Sequence, residues 1–597
     1  MNQLPSHLTG GHFLLGETDP NLVFTPEDLS SEEQQITETA ERFMDREVFP
    51  RLDALEHQEP GLAVKLFKQT GELGLFALEV PEEYGGLGLG KTVATGVAAQ
   101  LSRLSGFGVT CGAHSGIGTM PTSYFGTELQ KQKYLPKLAT GELMAAYCLS
   151  ETGSGSDALG MKTKAMLSPD GTHYVLNGTK MWITNAGWAD LFTVFAKVDG
   201  ENVTAFLVER NFPGVSFGKE EHKLGIKTSS TRRVVLDNVC VPVENVLGGV
   251  GNGAYIAFNI LNFGRFSLGA GAVGGAADMI RTATKYALER QQFGKPLASF
   301  GLIQQKLGEM SARTFAAESA LYRTAAMIDA VMASGEQLDL TDPPFPRGME
   351  EFAIECSIIK VSCSEALSAV ADEALQIHGG YGFTEEFTPA RATRDARINR
   401  IFEGTNEINR LFIPGTLLRR VQRGRFTFPA AAEASAKVPV SAANETNPLQ
   451  AVANLLRGAK QLVLLMTAAV ASKFGKAVSD QQEILAAISD IIIEIYLDES
   501  ALLRTLKAIG RGHTSTVMTD LTMSLMNGSV ARIGQRATTV AVALATGDEK
   551  ASFLKLVRSM LAWNPVNEVE INRRIATRLC ELGSYSLVAG SDSLPVT

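Results

Sequence analysis

Leu191-Phe192-Thr193-Val194-Phe195 and Thr204-Ala205-Phe206-Leu207-Val208, flanked by Tyr174-Val175-Leu176 and Arg233-Val234-Val235-Leu236, break an otherwise helical texture. These runs are short, rich in β-branched and aromatic residues, and set apart by Asn-Gly, Asp-Gly and Pro-Gly turns, which predicts antiparallel strands. They cluster within residues 144–252. Before them, over 26–143, the pattern is helical: Thr25-Pro26 opens a segment with acidic residues in its first turn, and Val80-Pro81-Glu82-Glu83-Tyr84-Gly85-Gly86 interrupts it as a loop. After them the 3.6-residue period returns over 253–420, as in a helical bundle. Residues 421–447 read as a linker, and 448–583 as further helices. Strands gathered in the middle exclude alternating βαβ units. The expected fold is mainly α, with a central antiparallel β domain and a C-terminal helical domain.

The 597 residues allow about four such parts at roughly 150 residues each. The net charge of −9 argues against nucleic acid as a partner. Six cysteines without a CxxC pair fit a reducing compartment rather than a disulfide scaffold. No Lys or Arg precedes Arg42, so no signal or transit peptide is expected. Apolar runs such as Leu462 to Ala471 fall short of the roughly 18 to 20 residues of a spanning helix. The expectation is a soluble, cytoplasmic, bacterial-type protein.

Gly269-Ala270-Gly271-Ala272-Val273-Gly274 fits GxGxxG but lies inside an apparent helix with no strand before it, where small residues serve close packing. Gly249-Val250-Gly251-Asn252-Gly253-Ala254 opens a helix yet lacks a βαβ unit. No metal site is expected, because the eight histidines form no ligand spacing; His378 reads as a packing or hydrogen-bonding residue. Two segments are more specific. Tyr147-Cys148-Leu149-Ser150-Glu151-Thr152-Gly153-Ser154-Gly155-Ser156-Asp157, followed by Met181-Trp182-Ile183-Thr184-Asn185, runs from a strand into a Gly/Ser loop whose N–H groups and hydroxyls suit a phosphate or a flavin edge. Gln376-Ile377-His378-Gly379-Gly380-Tyr381-Gly382-Phe383 leads through Arg394-Asp395-Ala396-Arg397 to Phe402-Glu403-Gly404-Thr405-Asn406-Glu407-Ile408. There Glu403 suits a general base if burial raises its pKa. Side-chain chemistry alone prefers a salt-bridged helix end.

Together with Arg290-Gln291-Gln292-Phe293-Gly294-Lys295-Pro296 and the 80–86 loop, these segments resemble the acyl-CoA dehydrogenase family, in order from about Leu29 to Phe412. Asn259 through Phe266, Phe402 before the glutamate and the C-terminal region resemble its very-long-chain branch. The resemblance implies a helical domain, a β-barrel-like domain, a four-helix bundle and bound FAD. It also implies oxidation of long- or very-long-chain acyl-CoA to trans-2-enoyl-CoA, the first step of fatty acid β-oxidation, with electrons passed to electron-transfer flavoprotein by a homodimer. Glu403 matches the base that takes the α-proton while hydride leaves the β-carbon. The thioester carbonyl would be bound by a ribityl hydroxyl and the main-chain N–H of the base.

Some members carry the base just before the arginine matched by Arg265; Gly264 stands there, which sharpens the assignment to Glu403. Tyr147, Leu149, Ser150, Gly155, Ser156, Trp182, Thr184, Arg290, Phe293, Gln376, Gly380, Thr405 and Glu407 match FAD positions, some reached from a neighbouring subunit. Ser156, Asn262, Arg265 and Gly404 match substrate positions. Ser150 replaces the usual Thr and Thr152 the usual Pro, so FAD binding should survive on a looser loop. Gly112 and Gly116 either open a deep acyl tunnel or serve helix packing. The competing readings are an acyl-CoA oxidase using O2 and an assembly or interaction protein on the same scaffold.

Between Thr446 and Ser479 there is no acidic residue, while Arg457, Lys460, Lys473 and Lys476 accompany Val452, Leu455, Leu456, Leu462, Val463, Leu465 and Met466. Such a stripe over 448–476 suits either a peripheral membrane contact or a helix packed in a bundle or dimer interface.

Overall fold

The computed structural model describes residues 8–334, 337–338, 345–346, 348–426, 445–514 and 516–585. Most of the expected 421–447 linker, residues 427–444, lies outside the described residues. The expected helix start at Pro26 is a short 3-10 turn, Pro26–Asp28. The helix itself, Ser31–Phe43, begins one turn later, where Ser30 and Glu33 exchange side-chain-to-backbone hydrogen bonds.

The middle sheet has eight strands: β1 (Ala145–Cys148), β2 (Lys164–Leu167), β3 (His173–Thr184), β4 (Leu191–Val198), β5 (Asn202–Glu209), β6 (Val215–Phe217), β7 (Thr231–Pro242) and β8 (Val246–Leu247). Their order is β6-β7-β3-β2-β4-β5-β8, with β1 beside β4. The expected antiparallel pairing holds for most neighbours, but β1 and β2 both run parallel to β4, so the sheet is mixed. The long connections from β1 and β2 to β4 allow this, since a parallel pair needs a crossover rather than a hairpin. β4 is buried on both faces. Leu191 and Phe195 belong to the core shared with the bundle, whereas Phe192, Val194 and Ala196 belong to the core under the N-terminal helices. Two cores explain why its sequence is a continuous apolar run instead of an alternation.

The bundle is built from Gly253–Glu289, Gly301–Ala333, Ala353–His378 and Asn406–Gln422. A side chain at Gly269 would start 2.2 Å from Ile359 Cγ2, and one at Gly274 2.0 Å from the Ala99 carbonyl, so these glycines serve close helix packing.

Five helices from Pro448–Phe474 to Glu568–Leu582 follow and extend the same core. By length and composition alone the helical stretch Pro448–Asp480 could cross a membrane, more than the short run Leu462 to Ala471 suggested. Its apolar residues Val452, Leu455, Leu456, Leu462, Val463 and Met466 are instead buried within the protein. Three of its four basic residues are engaged as well. Arg457 pairs with Glu17 at 2.5 Å, Lys460 is buried against Glu499 and the Gly16 carbonyl, and Lys473 donates to the carbonyls of Ala543 and Leu544. The stripe is thus a packed helix, three of whose four cations find partners far away in the chain.

Candidate active site

Glu403 lies in the turn that leads into Asn406–Gln422, with φ of 59° at Glu403 and 78° at Gly404. Thr405 caps that helix through its hydroxyl, which accepts from the Ile408 N–H at 3.3 Å. The surface that Glu403 retains opens into a partly open cavity walled largely by apolar side chains, among them Phe76, Leu101, Ile117, Phe266 and Leu367. Its Oε2 has no hydrogen-bond partner among the described residues. Burial raises its pKa to about 7, while the charges of Arg265 and Lys360 pull the other way. A side chain at Gly264 would start 2.2 Å from Glu403 Oε2, so glycine there makes room for this carboxylate.

Thr184 lines the same cavity. The β3–β7 register shifts between Lys180 and Ile183, and this bulge leaves Trp182 at φ 56° with its ring exposed. The Tyr147 hydroxyl donates to the Ala257 carbonyl at 3.3 Å, and burial first, then the nearby Glu403 charge, raises its pKa. Leu149 is buried; Gly155 and Ser156 are exposed in the loop beyond it. At Gly153 and Gly155 an added Cβ would meet nothing within 4 Å, so the loop presents open backbone. These residues fit a flavin laid along the loop beside Glu403.

Despite Thr152, the loop is pinned. Glu151 accepts from Lys180 Nζ at 2.8 Å, the Lys162 N–H at 2.6 Å and the Thr163 hydroxyl at 2.5 Å, and Lys180 also donates to the Leu149 carbonyl. Burial would raise the Glu151 pKa, but these donors together hold it below its ordinary value. Sequence reading passed over Lys180; its signal was a lysine on an inward-facing strand position.

Asn262 and Arg265 are nearly buried and bond each other at 2.8 Å; Asn262 also donates to the Met349 carbonyl, and Arg265 Nε to the Glu403 carbonyl at 3.4 Å. Gly404 lies 3.8 Å from Arg265 by its would-be Cβ. Arg290, Phe293, Gln376 and Gly380 do not line the Glu403 cavity. They form an exposed cluster at the helix ends, where Arg290 lies over the Tyr381 ring and Phe293 is 93% exposed. Glu407 points to the surface, and backbone hydrogen bonding lowers its pKa. His378 bonds the Ala374 carbonyl and stacks on Tyr286.

Gly112 and Gly116 both line the cavity. A Cβ at Gly112 would meet nothing within 4 Å, and at Gly116 only Ser267 Oγ at 3.9 Å, so they open space and do not pack helices.

The chain matches the family descriptions "Acyl-CoA dehydrogenase, N-terminal domain" over residues 30–142, "middle domain" over 146–239 and "C-terminal domain" over 251–418, with a second C-terminal-domain model over 458–559. It is 43% identical over 584 residues to a probable acyl-CoA dehydrogenase of Bacillus subtilis, covering 97% of this chain and 98% of that protein. It is 42% identical over 414 residues to the human mitochondrial very long-chain specific acyl-CoA dehydrogenase, covering 67% of this chain and 60% of that one. The crystal structure of an acyl-CoA dehydrogenase complexed with FAD from Bacillus anthracis superposes with a TM-score of 0.93 at 45% identity, over 97% of this chain and 99% of that one. The chain therefore belongs to the acyl-CoA dehydrogenase family of FAD-dependent oxidoreductases, in the very-long-chain-like branch with a C-terminal extension.

Proposed function

We propose that the protein oxidises long- or very-long-chain acyl-CoA to trans-2-enoyl-CoA, as the first step of β-oxidation, with Glu403 as the base and electrons leaving to electron-transfer flavoprotein. One observation carries this reading: an enclosed carboxylate with a free Oε2 opens into a largely apolar cavity beside a flavin-suited loop. The cavity measures about 160 Å³. Gly112 and Gly116 leave further space open along its wall, which supports the long-chain reading.

FAD, held by the Tyr147–Ser156 loop with Trp182 and Thr184, supplies the hydride acceptor. The remaining work falls to the chain's own residues. Glu403, ionised, takes the α-proton at Oε2, and the cavity wall keeps water from competing for it. Raising the carboxylate to about 7 strengthens it as a base, while Arg265 and Lys360 keep part of it ionised near neutrality. The main-chain N–H of Glu403 serves as the donor for the thioester oxygen.

A homodimer is supported by the exposed Arg290, Phe293, Gln376 and Gly380 cluster, which a partner subunit would complete. The 448–476 helix gives a membrane little to bind, since its apolar face is buried.

Glu403→Gln should retain FAD yet lose anaerobic bleaching by palmitoyl-CoA by on the order of 10²-fold or more. In the parent, the bleaching rate should rise with pH through about 7, because only the ionised carboxylate takes a proton. Undiminished bleaching in Glu403→Gln rejects the assignment, and stoichiometric peroxide in air marks an oxidase.

A further inference from the structure

We infer that Asn409, together with a Lys360–Asn406–Ser364 cluster, forms a two-sided clamp that holds the left-handed turn at Glu403 and so positions its carboxylate and main-chain N–H. The inference rests on Glu403 being the base. A glutamate at φ 59° followed by Gly404 at φ 78° is not a conformation the turn adopts unaided. A non-glycine residue in this region is strained and persists only where its surroundings over-determine it.

The surroundings do so from two helices. On one side the buried Asn409 amide donates to the carbonyls of Gly404 at 2.9 Å and Thr405 at 3.0 Å, with Glu403 at the 3.5 Å limit. Three converging carbonyls fix which end of the amide faces the turn. Arg265 adds its Nε to the Glu403 carbonyl at 3.4 Å. On the other side Lys360 Nζ donates to Asn406 Oδ1 at 2.6 Å, and Asn406 Nδ2 donates to Ser364 Oγ at 3.1 Å and Glu365 Oε1 at 3.0 Å. Lys360 and Ser364 are fully buried and Asn406 is 2% exposed, so these three are screened from solvent, with Glu365 at the rim, and they tie the turn to Ala353–His378. The catalytic carboxylate itself makes none of these bonds. Its place is set through the main chain on either side.

The charged and titratable groups facing Glu403 are Arg265 from Gly253–Glu289, Lys360 from Ala353–His378 and Tyr147 from β1. Lys360 is faced in turn by Glu403, Arg265, Glu407 and Glu365. Burial lowers its pKa to about 7, and what charge it keeps favours the ionised form of Glu403. Removing that charge should therefore raise the pH at which the base titrates.

The test uses the FAD-loaded full chain and three variants. Asn409→Ala should slow the limiting rate of anaerobic flavin reduction by palmitoyl-CoA about 10- to 100-fold, the scale of a misplacement near 1 Å. Its FAD content should stay unchanged, and its palmitoyl-CoA Kd within about threefold. Lys360→Met should move the pH midpoint of that rate upward by about half a unit or more. A rate within about twofold of the parent in Asn409→Ala, or a loss wholly explained by Kd, overturns the Asn409 role. An unmoved midpoint in Lys360→Met overturns that of the cluster, and this variant alone decides if Asn409→Ala fails to hold FAD. Glu403→Gln, run beside them, separates the two claims. If it bleaches like the parent, the base assignment fails; if it is inert while Asn409→Ala is not slowed, only the clamp fails.

Discussion

Glu403 in the bundle and Glu499 in the C-terminal helices are both enclosed glutamates, held in opposite states. Burial pushes both carboxyls up. At Glu499, Lys460 reaches one oxygen and Arg323 Nη1 lies 3.0 Å from the other, and together they more than offset burial and hold the group below its ordinary range. At Glu403, Arg265 and Lys360 offset burial only in part, Oε2 is left without a partner, and the group stands at about 7. Matched cations make an enclosed carboxylate a fixed structural charge. Left unmatched and facing a cavity, the same group is ready to take a proton.

Removing the matched charge should give the largest effect. Glu499→Gln leaves Lys460 and Arg323 buried without the carboxylate that pairs them, which should destabilise the fold by about 3–5 kcal/mol, read from denaturant midpoints. The pH profile of flavin reduction in the folded fraction should not move. A loss under about 1 kcal/mol would break the contrast drawn above, because Glu499 would then not be holding the cations.

At the unmatched carboxylate the sensitive quantity is space instead of charge. Gly264→Ala places a methyl carbon only 2.2 Å from Oε2. The carboxylate has to turn aside, and the reduction rate should fall at least about tenfold with FAD retained. An unchanged rate would show that Glu403 reaches its substrate from another rotamer.

What could be read from residues alone follows the distance between partners. The β4 run was legible because its signal lies in consecutive apolar residues, whereas side-chain chemistry around Glu403 preferred a salt-bridged helix end and only the family resemblance singled it out as the base; the left-handed turn and the Thr405 cap emerge in the structure. The helical stripe at 448–476 left two readings open because Arg457 and Lys460 look like a solvated face until Glu17, 440 residues away, and Glu499, 39 away, are brought to them. Lys180, Lys360, Asn406 and Asn409 escaped notice for the same reason: a buried lysine or asparagine is indistinguishable from a surface one until its partner is placed. The parallel pairing of β1 with β4 was hidden too, since strand direction depends on the connection and not on the strand.

Cavity space also sets the effect that bears on chain length. Gly112 differs from Gly269 as Glu403 differs from Glu499. The surroundings of Gly269 are filled, with Ile359 Cγ2 2.2 Å from its would-be Cβ, whereas a Cβ at Gly112 meets nothing within 4 Å and the residue faces the cavity. A leucine at 112 therefore has room to enter without displacing the fold, and it removes volume only from the space offered to the acyl chain. Each methylene excluded from an apolar pocket changes discrimination by about 1–3 kcal/mol. Gly112→Leu should thus weaken flavin reduction by palmitoyl-CoA about tenfold or more while leaving butyryl-CoA within about twofold, with thermal stability unchanged. Equal losses at both lengths would mean that the chain does not pass Gly112, and the long-chain reading would lose its structural support.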